Sequence, residues 1–491
     1  MADILIKKKN EVYLQVTCEP HIKYELSEYF TFEVPNAKFM PQFKNKIWDG
    51  KIRLFSPAGG ELYVGLLSHL TLWAEEMGYT FEYEENNYYG NPISKNELIS
   101  PEGVKDYVDF LAQGIKPRPY QYQAVYQALR HYRKVILSPT GSGKSFMIYC
   151  ITRYLTADNQ RTLIIVPTVS LVSQLYKDFI DYGWDAEKHC HLIYSGQTKA
   201  SKFPVVITTW QSIYKLPKKY FDDFTAVIGD ECHTFKAKSL ISIMTKLHDA
   251  KYRIGFTGTL DESMTNKLVL EGLFGLSDKI VNTSDLIKQG HLSKLKIKIL
   301  LLKHNFIEFE SYQEEMEYIV THKNRNKFIR NLCRDMQGNT LVLFNYVEKH
   351  GEPLYDIINS TVANERKVFF VHGGVEAEER ENIRSITETQ NNAIIIASYG
   401  TFSTGINIKN LHNIVFASPS KSRIRNLQSI GRVLRKGENK SQAVLYDIAD
   451  DISKNNKNNF TLNHLKERIK IYNEEKFDYE IVPVNLKNHG E

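Results

Sequence analysis

Residues 138–145 read Ser-Pro-Thr-Gly-Ser-Gly-Lys-Ser and follow directly on the apolar run Val135-Ile136-Leu137. A strand that runs into such a loop constrains the chain more than any other feature of the sequence. Backbone N–H groups can close around phosphate oxygens only where the chain adopts a geometry that a Cβ obstructs, so the pattern requires Gly141 and Gly143. Lys144 is then placed to reach β- and γ-phosphates, and the Ser145 hydroxyl to take a position on Mg²⁺. Pro139, Thr140 and Ser142 complete the loop. The first position is Ser138 where the general pattern has glycine, which leaves the Lys-Ser end untouched. The loop predicts binding of a nucleoside triphosphate.

A chain of 491 residues allows three or four domains and exceeds what one hydrophobic core holds. No apolar stretch approaches the roughly 20 residues of a membrane span, and the N-terminus lacks a signal-peptide core. Cys18, Cys150, Cys190, Cys232 and Cys333 lie far apart, a spacing that indicates neither a zinc site nor a disulfide framework. A reducing cytoplasm is the simplest location for such a chain. A net charge of +6 permits a polyanionic partner and is equally what solubility alone would produce.

Turn residues cluster at Asn86-Asn87, Gly90-Asn91-Pro92, Gly114, Pro117 and Pro119, which sets the end of a first domain near residue 95. Short β-rich runs then alternate with helical stretches: Val135–Leu137, Thr162–Val166, Pro204–Thr208, Ala226–Gly229 and Arg253–Phe256. The rhythm restarts with Thr340–Phe344, Val368–Val371, Ala393–Ala397, Asn413–Ala417 and Ala443–Tyr446. Strands spaced by helices pair in parallel, so the expected fold is α/β, two tandem doubly wound sheets. The expected domains are 1–95, a small α+β module; 96–282 and 283–450, the two α/β units; and 451–491. In that last piece an Asn/Lys-rich linker from Lys454 to Asn459 leads to a short amphipathic helix, Leu462 to Tyr472.

A second chemical signature, Asp230-Glu231-Cys232-His233, ends the run Ala226–Gly229. Ligands of parallel α/β sheets bind outside the carboxyl ends of strands, so both acids are directed toward the loop that carries Lys144. Asp230 suits the hydrated Mg²⁺, and Glu231 suits orienting or deprotonating the attacking water. Cys232 and His233, adjacent and without distant partners, make poor ligands for a tetrahedral metal site.

Asp230-Glu231-Cys232-His233 resembles the DExH box of superfamily-2 helicases, and further motifs follow in that superfamily's order. Arg118-Pro119-Tyr120-Gln121 resembles the upstream segment whose glutamine reads the adenine edge, with Arg118, Tyr120 and Gln121 as nucleotide-side residues. Pro167-Thr168 with Leu171 and Gln174 resembles motif Ia, Thr208–Ser212 the next strand-contacting motif, and Thr257-Gly258-Thr259 the motif linking hydrolysis to movement. In the second unit Leu343-Phe344-Asn345 resembles motif IV, Ala397-Ser398 through Ser403-Thr404-Gly405-Ile406-Asn407 motif V, and Gln428–Arg435 motif VI. The resemblance implies ATP as substrate, Gly405 at the nucleotide, and Thr168, Thr209, Gln211, Asn345, Thr401 and Thr404 along a nucleic-acid strand. Arg432 and Arg435, one helical turn apart, would present two cations on one helix face, with Gln428 beside them. A cation supplied in this way is worth roughly 10³–10⁵ in rate in well-studied NTPases.

Phe39–Phe43 and Trp48–Leu54, the segment Ala397–Gly405 and the tail Glu475-Lys476-Phe477 are similar to the UvsW-type recombination-repair helicases of T-even bacteriophages, collinearly from about Tyr29 to Phe477. This resemblance implies an ATP-dependent DNA motor that remodels forks, Holliday junctions, D-loops and R-loops. Its partners would be branched, duplex and single-stranded DNA and phage recombination or replication proteins, without a membrane, in an infected bacterium. Lys44, Lys46, Lys51 and Arg53 are the expected duplex contacts of the N-terminal module. Phe39, Phe43 and Trp48 are either part of that contact surface or core of a small domain. An RNA-remodelling DExH helicase and an ATP-gated binding switch share the same core motifs and stay open at this point.

Overall fold

The computed structural model describes residues 2–34, 37–194, 198–260, 264–405, 408, 410–436, 440, 442–453 and 458–486. The chain divides into two compact units, Met1–Ser138 with Gly143–Ile280, and Pro139–Ser142 with Val281–Glu491.

The first unit opens with an N-terminal module. Its five-stranded sheet runs in the order Phe55–Ser56, Glu61–Tyr63, Tyr13–Cys18, Ile4–Lys8, Phe81–Tyr83. All pairings are antiparallel except the last. Alternate residues Ile4 and Ile6, Leu14 and Val16 point inward, the period of two that one buried sheet face requires. Helices Pro20–Tyr29 and Leu67–Met77 cover that face with Ile22, Leu26, Leu70, Trp73 and Ala74.

The module is seated firmly on the α/β part of the same unit. Glu11 is buried and takes Lys8 at 2.7 Å and Arg133 at 2.6 Å, and its N–H donates to the His248 carbonyl at 2.9 Å. His69 meets Glu271 at 2.8 Å. A Cβ on Gly65 would stand 1.9 Å from the Glu271 carbonyl oxygen, so only glycine allows this approach of backbone to helix Met264–Phe274.

The α/β part is a seven-stranded sheet, ordered Cys190–Ile193, Val205–Thr209, Thr162–Val166, Ala226–Asp230, Tyr252–Thr257, Arg133–Leu137, Ser277–Lys279, with every pairing parallel. Its central strands are buried on both faces, which is why they read as unbroken apolar runs. All five strands expected from the sequence form, with ends shifted by at most two residues. The two edge strands were not anticipated: Ser-Asp-Lys at 277–279 and a histidine in Cys190–Ile193 lack the apolar pattern that burial imposes.

The second sheet, also parallel throughout, runs Val368–Val371, Ile394–Ser398, Thr340–Phe344, Asn413–Phe416, Gln442–Asp451, Lys294–Lys303, Tyr479–Asn485. Numbered along the chain within each sheet, both orders are 3-4-2-5-6-1-7. Helix Phe460–Glu474 contains the expected Leu462–Tyr472 stretch; of the expected linker, 454–457 lie outside the described residues. Glu315 fixes the N-terminus of this helix, its carboxylate accepting from the N–H groups of Phe460 and Thr461, the Thr461 hydroxyl and the Asn459 amide. Arg468 and Tyr472 both reach Asp447 at 2.8 Å. Residues 458–486 are thus woven into the second unit, and their last strand adds an edge on which Pro483 costs no ladder bond. Among the described residues no helix is long and apolar enough to cross a membrane.

Candidate nucleotide site and strand-contacting residues

Three neighbouring strands of the first sheet end level with one another. Asp230 pairs with Phe256, and Thr257 with Leu137. This register brings the acidic pair, the Thr257-Gly258-Thr259 turn and the start of the glycine loop to one edge of the sheet, and the Ser138 N–H donates to the Thr257 carbonyl at 2.8 Å. Gly141 and Gly143 both have φ of +83°, and helix Lys144–Ala157 starts directly behind them, so its first N–H groups face the loop. A Cβ on Gly143 would lie 2.5 Å from the Gln121 side-chain nitrogen. The Gln121 oxygen accepts from the Arg118 N–H at 2.9 Å, and the Arg118 guanidinium donates to the Tyr120 hydroxyl at 2.7 Å. Arg118, Tyr120 and Gln121 therefore form one hydrogen-bonded corner at the start of helix Pro119–His131, against the glycine loop.

Lys144 Nζ stands 3.0 Å from Glu231 Oε1, with both side chains largely but not wholly covered. Burial works against the Lys144 ammonium, yet Glu231 and Asp230 outweigh it and hold its pKa above that of an ordinary lysine. The two acids are driven apart. Burial pushes Asp230 up to about 6, the charge of Glu231 adding to the rise while Lys144 opposes it. Burial also opposes the Glu231 anion, but Lys144 and His233 hold it far below the usual carboxylate range. Paired titratable groups whose surroundings separate their protonation mark a site organised for proton and charge handling.

Glu231 is one of few non-glycine residues at positive φ (48°), a strained position of the kind that active sites maintain. Its N–H donates to Asp230 Oδ1 at 2.9 Å. Its Oε2 is buried without a hydrogen-bond partner; His233 Nδ1 is 3.4 Å away but makes its shorter bond, 2.9 Å, to the Thr257 hydroxyl. That hydroxyl in turn donates to the Thr259 carbonyl at 3.0 Å. His233 therefore bridges the acidic box to the Thr257–Thr259 turn, a role that its sequence position did not disclose because its partner lies 24 residues on. Cys232 is core, its sulfur facing Gly255.

The donors present fit a magnesium–nucleotide. The Ser145 hydroxyl, bonded here to the Asp178 carboxylate, and the Asp230 carboxylate are hard oxygen donors. Two such donors suffice, because Mg²⁺ takes the rest of its coordination sphere from phosphates and water. Among the described residues no group of three or more His, Cys, Asp or Glu side chains could hold a metal by itself.

In the second unit, helix Arg423–Val433 carries Gln428 and Arg432 on one face, and the Arg432 guanidinium lies 5.4 Å from the centre of the Phe402 ring. The expected helical pairing of Arg432 with Arg435 is corrected: the helix ends before Arg435. Lys440 occupies that end, its ammonium donating to the carbonyls of Val433 and Arg435. Burial lowers the Arg435 pKa, with Glu388 opposing.

The residues expected along a nucleic-acid strand divide by exposure. Gln211 is exposed on the turn Trp210–Ile213, and Thr168, half-buried, caps helix Val169–Asp181 through Leu171 N–H. Asn345 is half-buried, its N–H donating to Ser418 Oγ at 3.1 Å. Thr209 and Thr401 are 3% and 6% exposed, with their hydroxyls bonded to Ser212 and Ser398. Thr209 ends its strand and Thr401 lies in helix Tyr399–Gly405, and both hydroxyls are engaged in these local hydrogen bonds. Thr404 and Gly405 lie on the backbone of helix Tyr399–Gly405, their side chains outside the described residues, as are Ile406 and Asn407 altogether.

In the N-terminal module Lys44, Lys46, Lys51 and Arg53 are all exposed, Arg53 in an ion pair with Asp49. The open question over the aromatics is answered residue by residue. Phe39 and Phe43 are surface residues, 64% and 38% exposed, whereas Trp48 is half-buried and donates from Nε1 to the Lys51 carbonyl at 2.8 Å.

Comparison with known proteins agrees with this geometry. Residues 3–84 match the family described as DNA helicase UvsW, N-terminal; residues 114–262 match Type III restriction enzyme, res subunit; and residues 323–437 match the helicase conserved C-terminal domain. The ATP-dependent DNA helicase uvsW of Enterobacteria phage T4 is 33% identical over 99% of this chain and 100% of its own. A crystal structure of T4 UvsW, 32% identical, covers 99% of this chain and 100% of its own with a TM-score of 0.52. A putative HsdR subunit of a type I restriction enzyme from Vibrio vulnificus, 18% identical, shares the fold over 89% of this chain and 85% of its own, with a TM-score of 0.58.

Proposed function

The chain belongs to the UvsW family of superfamily-2 helicases and is an ATP-dependent helicase acting on DNA, and from that premise we propose that it remodels branched DNA. The substrates are forks, Holliday junctions, D-loops and R-loops, and the setting is recombination, repair and replication in the cytoplasm of an infected bacterium. The observation that carries this reading is the seating of the N-terminal module. Buried Glu11, bound to Arg133, and Gly65, against Glu271, fix it to the unit that holds Lys144 and Glu231. The same module exposes Lys44, Lys46, Lys51 and Arg53. A duplex held by these cations is therefore held at a set place relative to the hydrolysis site.

At that site Lys144 neutralises phosphate charge, and Glu231, whose Oε2 has no hydrogen-bond partner, orients and deprotonates the attacking water. Ser145 and Asp230 would hold Mg²⁺, which supplies charge neutralisation at the phosphates. By the resemblance to motif VI, Gln428, Arg432 and Arg435 are the residues proposed to add positive charge and hydrogen bonds for the γ-phosphate. His233 passes the state of Glu231 to the Thr257–Thr259 turn. Exposed Gln211 and the half-buried Thr168 and Asn345 contact the tracked strand.

Strand displacement on a fork, a Holliday junction and an RNA duplex tests the reading. ATP-dependent processing of both DNA branches with the RNA duplex left intact is the expected result. Processing of the RNA duplex alone, or ATP-dependent binding with no processing, would overturn it.

A further inference from the structure

Between the paired strands Thr31–Glu33 and Lys51–Arg53 the N-terminal module inserts a small, tightly bonded element. Its 3₁₀ turn Ala37–Phe39 and helical turn Pro41–Lys44 are closed by backbone bonds from Met40 to Ala37, Phe43 to Met40, Asn45 to Pro41, and Ile47 to Gln42, all between 2.8 and 3.1 Å. Gly50, at φ of +79°, sits so close that a Cβ would lie 3.0 Å from the Ala37 Cβ and 3.1 Å from the Phe43 ring. The element is thus built to hold its shape. Yet it presents four large apolar side chains to solvent: Phe39 at 64%, Met40 at 40%, Phe43 at 38% and Ile47 at 77% exposure. Apolar surface gathered in this way, on an element with a defined backbone, marks a place where something else covers it.

Charge identifies what covers it. Residues 37–53 hold Lys38, Lys44, Lys46, Lys51 and Arg53 against one acid, Asp49, which is already paired with Arg53. Lys38 lies 5.2 Å from the centre of the Phe39 ring. A protein surface that met this element would have to be both apolar and strongly acidic. A DNA branch point offers both chemistries in one place: a flat, apolar base-pair face at the end of the stack, flanked by phosphates.

We propose that this element is the strand-separating wedge of the enzyme. Phe39 and Ile47 press against the terminal base pair at the branch, and Lys44 and Lys46 hold the flanking phosphates. Apolar side chains inserted at base steps unstack them, and stacking of this kind is indifferent to sequence. The inference rests on the branched-DNA reading above and adds to it the element that splits the strands. Since the module is fixed within the first unit through Glu11 and Gly65, a wedge on it is carried with Lys144 and Glu231 of that unit.

The test uses the full-length protein and a fork carrying 2-aminopurine in the first base pair of the parental duplex. Binding of the native protein with a non-hydrolysable ATP analogue raises the fluorescence. The Phe39→Ser/Ile47→Ser variant, altered only at exposed positions, loses that rise and slows fork processing about tenfold or more, the scale of one lost base–aromatic stack. Its ATPase on single-stranded DNA and its fork affinity stay within about threefold of native, because the phosphate contacts remain. Phe39→Trp, which keeps a flat apolar face, retains both signals. Unchanged fluorescence and processing in the double variant overturn the wedge. So does sedimentation showing that the native protein self-associates through this patch and the double variant does not. Failure of the underlying reading has a different signature. Neutralising Lys44, Lys46, Lys51 and Arg53 together would then leave fork affinity and its salt dependence unchanged.

Discussion

The two α/β units have the same strand order and opposite uses for buried charge. In the first, the strand Arg133–Leu137 leads into the glycine loop, and the strand Ala226–Asp230 ends on the Asp-Glu pair. In the second, the strands in the same places of the order, Lys294–Lys303 and Asn413–Phe416, lead to His304 and to Ala417-Ser418. Both units have ion clusters at these ends. Lys144 and Glu231 keep 16% and 25% of their side chains exposed. Asp450 meets Arg325 and His304 at 2.8 Å each, and these side chains are at most 1% exposed. The frame is common to both; access decides which cluster does chemistry and which only holds helix to sheet.

The sharpest test of this contrast is Lys144→Ala. Hydrolysis should fall by about 10⁴ or more, since the lost ammonium neutralises phosphate charge that builds further in the transition state. DNA-stimulated ATPase near the native rate would end the assignment of this cluster as catalytic. Glu231→Gln follows at about 10³ in turnover, with ATP and DNA affinity retained, because the amide keeps the shape but cannot take a proton from water. An equal fall in ATP affinity would make Glu231 a binding residue instead.

The structural cluster should respond in the other way. Asp450→Asn leaves the buried Arg325 charge uncompensated and should cost about 3 kcal/mol of stability, the lower end of the range for breaking a buried pair. Urea unfolding followed through the second unit measures this, and ATPase per folded molecule should be unchanged. If turnover fell while stability held, the division between working and holding clusters would collapse.

How much of this could be read from the chain itself depended on how local the signal was. The glycine loop and the Asp-Glu pair are contiguous, and their positions after strands follow from apolar runs that burial on both faces enforces. These contiguous signals carry the fold. Lys294–Lys303, whose first half alternates lysines with apolar residues, lacks the unbroken apolar run by which the central strands were identified, and Tyr479–Asn485 lacks it because an edge strand needs no apolar face. Arg435 was assigned to a helix that spacing alone extends by another turn; the Lys440 ammonium, bound to the carbonyls at its end, marks where it stops. The local bonds of the Thr209 and Thr401 hydroxyls were not legible either, because a sequence displays residue type and not burial. The bridge from Glu231 through His233 to Thr257, and the seating of Glu11 on Arg133, join residues 24 and 122 positions apart, and no periodicity reports such pairs.

The smallest effect concerns His350, which lies beside the holding cluster and separates it from the working one by its response to acid. It is fully buried in the turn Val347–Gly351, its Nδ1 3.0 Å from Ser418 Oγ and its Nε2 without a partner. Burial, then the charge of Arg325, pushes its pKa down to about 3, against the pull of Asp450. The folded protein therefore resists a proton that the unfolded chain accepts near pH 6.5, and stability is lost as pH falls from about 6.5 toward 3. The slope is at most about 1.4 kcal/mol per pH unit for one such group. His350→Gln removes the titration and should reduce the loss of second-unit stability between pH 7 and pH 5 by about 1–2 kcal/mol, as read from hydrogen exchange in its central strands. Exchange in the first sheet should not differ between the two proteins across that range. A slope in His350→Gln as steep as the native one would assign the acid sensitivity to another group, and His464, whose pKa burial lowers to about 4, is the next to replace.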